Sequence, residues 1–447
     1  MRIDLPDPEQ FAELVQIVTG DEITVLPTGI STDSRECQSG DLYVAIKGER
    51  VDGHDFLEQV KSAGASAVLV ERVNPAITGL KQIQVNNPVR TLGLIASDWR
   101  RQFTIPVIGI TGTNGKTSTK ELLAHLLSAK YKIHVTTGNF NTSIGLPLTL
   151  LQMTSEHEIS VLEFGANQPG DIVQLTNMAK PTHGLITNIA PAHLEGFGSI
   201  EEIARTKSEL FWALPQGTAF VNLDDKRVSR IDISGDQISF SFHSPADFTA
   251  QFIGKAGVNS LLMTINGQEL SLPTCNPVFA KNLLAASAIA ITLELDWSAL
   301  QKQLLTFQSP KGRCVVIESG GLTIIDDTYN ANLVSTAAAI DFLANFQTTG
   351  RKILIFGDMF ELGPDSPKLH RQVGDKANET RLDAVFTVGN DSRYTYDTIE
   401  NNTKKHFTDK TQLLVNLSEY FQTGDTILLK GSRGMAMETL IDELRAT

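Results

Sequence analysis

The stretch Thr104–Lys120, "TIPVIGITGTNGKTSTK", decides how this chain is read. An apolar strand, "PVIGI", runs into Gly112, Gly115 and Lys116, and the amphipathic pattern "TSTKELLAHLLSAK" opens at Thr117. Strand, glycine-containing turn and helix in that order make an anion cradle. The turn presents backbone N–H groups, and the helix adds the positive end of its dipole. Lys116 suits the outer phosphates of a nucleotide, and the Thr117 hydroxyl suits magnesium. The general pattern G-x-x-x-x-G-K-[ST] places its first glycine where this chain has Ile110. Gly109 and Gly112 can tighten the same turn with the length redistributed.

Outward from the loop, strand and helix signals alternate. "ISVLEFG" and "HGLITNIA" read as short buried strands, and "SIEEIARTKSELFWAL" as a helix, which is the order of a parallel α/β sheet. Between Val228 and Leu272, "QISFSFHS", "FTAQFIG" and "SLLMTINGQELSL" alternate around an Asn-Gly turn and predict antiparallel hairpins. Helix returns at "AKNLLAASAIAITLE", and Pro310 and Gly312 in "FQSPKGR" break it. A second α/β series follows, with strands at "LTIIDD", "KILIFGD", "AVFTVG" and "TILLKG". Its helices are "STAAAIDFLANF", "KLHRQVGDKANET" and a short last one. Before the loop, "DLYVAIKG" and "ASAVLVE" read as strands, "DFLEQVKSAG" and "VRTLGLIASDWRRQF" as helices. At about 150 residues per domain, 447 residues suit three α/β units. The expected boundaries are 1–103, 104–311 and 312–447: a smaller mixed α/β unit, a P-loop ATPase-type parallel sheet, and a Rossmann-like α/β unit.

Composition excludes several classes. With 51 acidic against 38 basic residues the net charge is −13, which speaks against general nucleic-acid binding but not against a small anion in a locally positive loop. The three cysteines, Cys37, Cys275 and Cys314, fit no metal spacing and suit a reducing compartment. "RIDLPDPEQF" after Met1 has no apolar signal core, and no apolar run reaches the length of a membrane span. A cytoplasmic protein is expected.

Other residues gather at predicted strand ends, where α/β sheets place ligands. Glu163 in "VLEFGANQPGD" can hold the magnesium that a phosphate loop brings. His193 follows another strand, and Lys207 lies on the next helix. Taken alone, these two read as a satisfied polar residue and a solvated lysine. Asp326 and Asp327 in "IIDDTYNAN" suit ribose or metal contacts, beside Tyr329, Asn330 and Asn332. Arg313 stands at a domain boundary within reach of a transferring phosphate. Lys430, Ser432 and Arg433 in "LLKGSRGMAME" make a cationic and hydroxyl site suited to a carboxylate.

Taken together, "TGTNGKT", "EFGANQPGDI", "TNIAPAHLEGFGS", "DDTYNAN", "GDMFELG" and "KGSRGMAME" resemble the Mur ligase family, ATP-dependent amide ligases of peptidoglycan precursor synthesis. The resemblance covers essentially the whole chain and accounts for the off-pattern glycine. It points to the members that add D-alanyl-D-alanine to UDP-N-acetylmuramoyl-tripeptide. The Asp-Asn-Pro-Arg motif of the diamino-acid-adding siblings is absent. The resemblance implies that Gly112, Thr113, Asn114, Gly115, Lys116, Thr117 and Ser118 hold ATP, with Thr117 on the first Mg2+. It implies Glu163 shared between two Mg2+ ions, His193 on the second, and Lys207 as a carbamylated, metal-binding lysine. Asn282 would read adenine, Arg313 would touch the γ-phosphate and Asp327 the ribose. Asn139, Asn141 and Thr142 would line the channel for the nucleotide peptide, and Ser34 and Arg35 would contact the uridine nucleotide. Asn330, Asn332, Lys430, Ser432 and Arg433 would surround the incoming dipeptide. The chain departs from the family at Val278 and Phe279, where His-Asn is usual.

The implied reaction activates the tripeptide carboxylate as an acyl phosphate, which the dipeptide amine then attacks. A monomer with no nucleic-acid partner is expected. The competing readings are a sibling or folylpolyglutamate-type ligase, a P-loop NTPase or phosphotransferase, and a non-catalytic homologue. A non-catalytic homologue predicts losses at Lys116, Glu163, His193 or Lys207, and all four are present.

Overall fold

The computed structural model describes residues 1–48, 50–400, 403–417 and 420–446. Its strands form three sheets of five, nine and six strands, in chain order.

The central sheet is built around Val107–Thr111, which lies between Ile159–Glu163 and His183–Ile186 and runs parallel to both. All three strands are buried along nearly their whole length, as expected of a parallel sheet covered on both faces. Helix Lys116–Leu127 covers one face with Leu122, Leu123, Leu126 and Leu127. Helix Ile200–Trp212 covers the other with Ile203, Leu210 and Phe211. Because the strands are parallel, their carboxyl ends open on one edge, which is where the loops after Thr111, Glu163 and Ile186 meet.

The hairpin expectation for Val228–Leu272 needs correction at its start. Asp236–Ser241 pairs in parallel with Thr218–Asn222 and extends the central sheet. Only Phe248–Gly257, Ser260–Ile265 and Gln268–Leu272 form the antiparallel meander, turning at Asn266-Gly267. Alternation marks a half-buried strand, but it does not say which way the neighbour runs.

In the third sheet, Leu322–Asp327, Thr426–Lys430, Lys352–Gly357, Ala384–Val388 and Thr403–Phe407 are parallel, with Val315–Ser319 antiparallel at the edge. The two outer strands escaped the sequence reading: Val315–Ser319 is short and nowhere fully buried, and Thr403–Phe407 is mostly polar. The first sheet is mixed: Arg2–Asp4 is antiparallel to Gly29–Ser31, and the remaining strands are parallel. Helix Pro88–Arg100 joins the first unit to the second. Trp99 Nε1 donates to the Met153 carbonyl at 3.0 Å and Arg100 Nε to the Ala179 carbonyl at 2.9 Å, so the two units share one apolar core. Among the described residues no helix is long and apolar enough to cross a membrane, and all three cysteines are free thiols.

Candidate active site

The phosphate loop owes its shape to two glycines. Gly112 has φ +146°, and a Cβ there would stand 1.9 Å from Thr187 Oγ1. Gly115, at φ +82°, caps the following helix, and its Cβ would meet Asn282 Oδ1 at 2.8 Å. No other residue fits either place, which is the physical content of the displaced glycine spacing. The loop is clamped from the neighbouring strand end. The Asn188 side chain accepts the Asn114 N–H at 3.1 Å and donates to the Asn114 carbonyl at 2.9 Å, and Thr187 Oγ1 donates to that carbonyl at 2.6 Å. Neither Thr187 nor Asn188 was singled out from sequence; their position in "TNIAPAH", directly after a strand, was the available signal.

Lys116 Nζ lies against the Gly112 and Thr113 carbonyls at 2.8 and 3.2 Å. Burial lowers its pKa, with the Glu163 charge opposing and Arg313 reinforcing. Glu163, which ends its strand almost wholly buried, accepts Asn141 Nδ2 on Oε1 at 2.7 Å, while Oε2 is buried without a hydrogen-bond partner. Asn141 therefore orients Glu163 as well as bordering the cleft. Lys207 is buried, and burial followed by the charge of Lys116 drops its pKa well below that of an ordinary lysine. Both effects favour the neutral, nucleophilic amine over the ammonium. His193, at φ +50°, pairs through Nδ1 with Glu361 of the third unit. Burial lowers the His193 pKa, and Glu361 opposes the shift.

The second and third units meet across this edge. Arg313 donates to Thr117 Oγ1 at 3.3 Å and lies over the Tyr329 ring at 3.9 Å. Asn332 Nδ2 donates to Asn114 Oδ1 at 2.7 Å while its own Oδ1 caps helix Leu333–Asn345. Between the units lies a cavity of 520 Å³. Its walls include the loop residues Thr113 to Ser118, together with Asn141, Thr142, Glu163 and His193. Asn282, Arg313, Asp327, Asn330, Asn332 and Lys430 also line it. Far from the phosphate loop in sequence, Phe240, Phe242, Phe279 and Phe307 supply an aromatic wall suited to a flat base. A smaller cavity of 110 Å³ is bordered by His193, Asn330, Asn332, Glu361, Ser432 and Arg433.

The remaining sequence candidates differ in what their side chains are free to do. Lys430 is buried and spends its charge on Asp327 Oδ2 at 2.5 Å and the Asn330 carbonyl at 2.9 Å, so it offers no free cation. Arg433 is exposed and pairs with Glu438. Asn139 is exposed and lines neither cavity, and the same holds for Arg35, which is paired with Asp33. Ser34 also lies outside both.

The donors fit a nucleotide and a divalent cation. The glycine cradle, the unpartnered Glu163 Oε2 and the equally unpartnered Arg313 Nε and Asn114 Nδ2 all lie at or beside the phosphate loop. Among the described residues no three His, Cys, Asp or Glu side chains gather tightly enough to hold a metal by themselves. A cation here would draw further ligands from phosphate oxygens or a modified side chain.

Family models match along the chain: "Mur ligase family, catalytic domain" at 27–100, "Mur ligase middle domain" at 110–290, and "Mur ligase, glutamate ligase domain" at 312–433. The UDP-N-acetylmuramoyl-tripeptide--D-alanyl-D-alanine ligase of Escherichia coli (strain K12) is 36% identical, covering 97% of this chain and 98% of its own length. A crystal structure of MurF from Acinetobacter baumannii superimposes with a TM-score of 0.89 at 31% identity, covering 98% of both chains. MurF ligase from Thermotoga maritima, in complex with ADP, gives a TM-score of 0.81 at 30% identity, covering 93% of this chain and 97% of that one.

Proposed function

The chain belongs to the Mur ligase family, and from that premise we propose that it joins D-alanyl-D-alanine to UDP-N-acetylmuramoyl-tripeptide at the expense of ATP. The observation that carries this reading is the cavity between the second and third units, where a phosphate cradle, an unpartnered carboxylate and a cationic, amide-rich wall face one another.

The residues divide the work. Loop N–H groups and Lys116 hold the phosphates of ATP, and Arg313 steadies the outermost one from the third unit. Thr117, Glu163, His193 and carbamylated Lys207 would hold Mg2+, which when bound neutralises charge on the transferring phosphoryl group. Burial favours the neutral amine of Lys207, the form that adds CO2 and, on losing a proton to solvent, becomes an anionic carbamate. The tripeptide carboxylate attacks the γ-phosphorus and ADP leaves. The dipeptide amine then attacks the acyl phosphate, and the tetrahedral adduct expels phosphate to leave the amide. Closure of the two units over this step excludes water, which would otherwise hydrolyse the acyl phosphate.

Asn282 and the phenylalanine wall would take the base, Asp327 the ribose. Asn139, Asn141 and Thr142 would face the tripeptide, Ser34 and Arg35 the uridine nucleotide, and Asn330, Asn332, Lys430, Ser432 and Arg433 the dipeptide. Units 1–103, 104–311 and 312–447 would each bring one ligand. A monomer is the expected state, and nucleotide substrates suit the cytoplasm. The test is phosphate release coupled to mass analysis of the nucleotide product. We expect an amide product with D-alanyl-D-alanine and UDP-N-acetylmuramoyl-tripeptide; ATP turnover with no amide formed refutes the reading.

A further inference from the structure

Lys120 lies one turn beyond the phosphate loop on helix Lys116–Leu127, and its side chain is completely buried. It lines neither cavity. A buried ammonium loses its hydration, so a leucine or methionine would fill such a place at lower desolvation cost. Packing alone therefore gives no reason for a lysine. Its partners do. Nζ donates to the Thr136 carbonyl at 2.5 Å and to Glu121 Oε1 at 2.6 Å.

Thr136 is the informative partner. It too is completely buried, and its hydroxyl accepts the backbone N–H of Glu163 at 3.1 Å. It also opens the segment that carries Asn141, whose amide holds Glu163 Oε1 at 2.7 Å. The helix of the phosphate loop, Thr136 and Glu163 thus form one hydrogen-bonded series, and its first link is charge-assisted.

We propose that Lys120 is a positioning residue that fixes Thr136 and, through it, keeps the free Glu163 Oε2 in register with the loop that holds the phosphates. The proposal rests on the reading of Glu163 as a cation ligand. Because Lys120 touches no cavity, it acts on cation placement and not on capture of the nucleotide.

The test measures Mn2+ binding by electron paramagnetic resonance with a non-hydrolysable ATP analogue present, in the intact protein. Lys120→Met and Thr136→Val should each weaken Mn2+ binding about tenfold, as losses around a metal's ligands do. Metal-free affinity for the analogue should stay unchanged, and kcat should fall without a rise in KM for ATP. The double variant should bind Mn2+ no more weakly than Lys120→Met, since both changes cut one series. Thr136→Val keeps Lys120 and the carbonyl it bonds, so it decides the matter if Lys120→Met fails to fold. Wild-type Mn2+ affinity in Thr136→Val, or a lowered melting temperature alone in Lys120→Met, overturns the proposal. Glu163→Gln separates the two levels. If it binds Mn2+ normally, the reading of Glu163 itself falls; if it alone loses Mn2+, only the role of Lys120 falls.

Discussion

Asp327 and Lys430 close adjacent parallel strands in register, and Lys430 Nζ donates to Asp327 Oδ2 at 2.5 Å. Both side chains are largely withdrawn from water. The pair sets the floor of the cleft in the third unit and holds the Asp327 carboxylate in one orientation.

Removing one partner leaves the other charge buried alone. Lys430→Met should destabilise the protein by about 3 kcal/mol in denaturant unfolding, and the double change with Asp327→Asn should recover much of the loss. Equal stability of Lys430→Met and wild type would show that the ammonium contributes through neither charge nor packing.

Asn188 grips both the N–H and the carbonyl of Asn114 within the phosphate loop. Two neutral hydrogen bonds of about 1 kcal/mol each hold the loop in its cradle form. Asn188→Ala should weaken ATP binding about tenfold by titration calorimetry, with the melting temperature of the nucleotide-free protein little changed. Unaltered ATP affinity would assign the loop's shape to Thr187 and the glycines alone.

The loop, Glu163 and the α/β order were legible because each rests on local signals: glycine at positive φ, an apolar run, an acid at a strand end. Asn188, Thr136 and Glu361 were not, because their roles arise between segments far apart in sequence. Asn141 and Lys430 show the same limit in reverse. Their residue types suited substrate contact, but the sequence did not show that Asn141 also holds Glu163 and Lys430 also holds Asp327. Direction of strand pairing was also hidden: Asp236–Ser241 alternates like a hairpin strand but runs parallel to its neighbour.

His134 makes the fold sensitive to acid. Its Nε2 donates to the Thr149 carbonyl and its Nδ1 is hydrogen-bonded to Ser160 Oγ, each at 2.8 Å, an arrangement that a neutral ring satisfies. Burial lowers its pKa from 6.5 to about 4. The unfolded chain therefore takes up a proton below pH 6.5 that the folded chain refuses until about pH 4. The stability this residue contributes is complete above the upper value and is lost as pH falls toward the lower one. Between pH 7 and 5 the loss should be about 2 kcal/mol by urea unfolding, and His134→Gln should lack this component. An equal pH dependence in both proteins would contradict the assignment.

Lys207 offers the sharpest test of the cation site. Its buried amine cannot serve as a metal ligand and a cation at once, and burial together with the charge of Lys116 favours the neutral form. Addition of CO2 to that amine would set an anion near His193 without a second acidic residue. Lys207→Ala should lower the ligation rate about 100-fold, the scale on which loss of one electrostatic stabiliser acts. Formate or acetate should restore part of the rate, because a small carboxylate can occupy the space of the carbamate. Rescue should saturate with carboxylate concentration. Full activity of Lys207→Ala in CO2-depleted buffer would remove the carbamate from the mechanism.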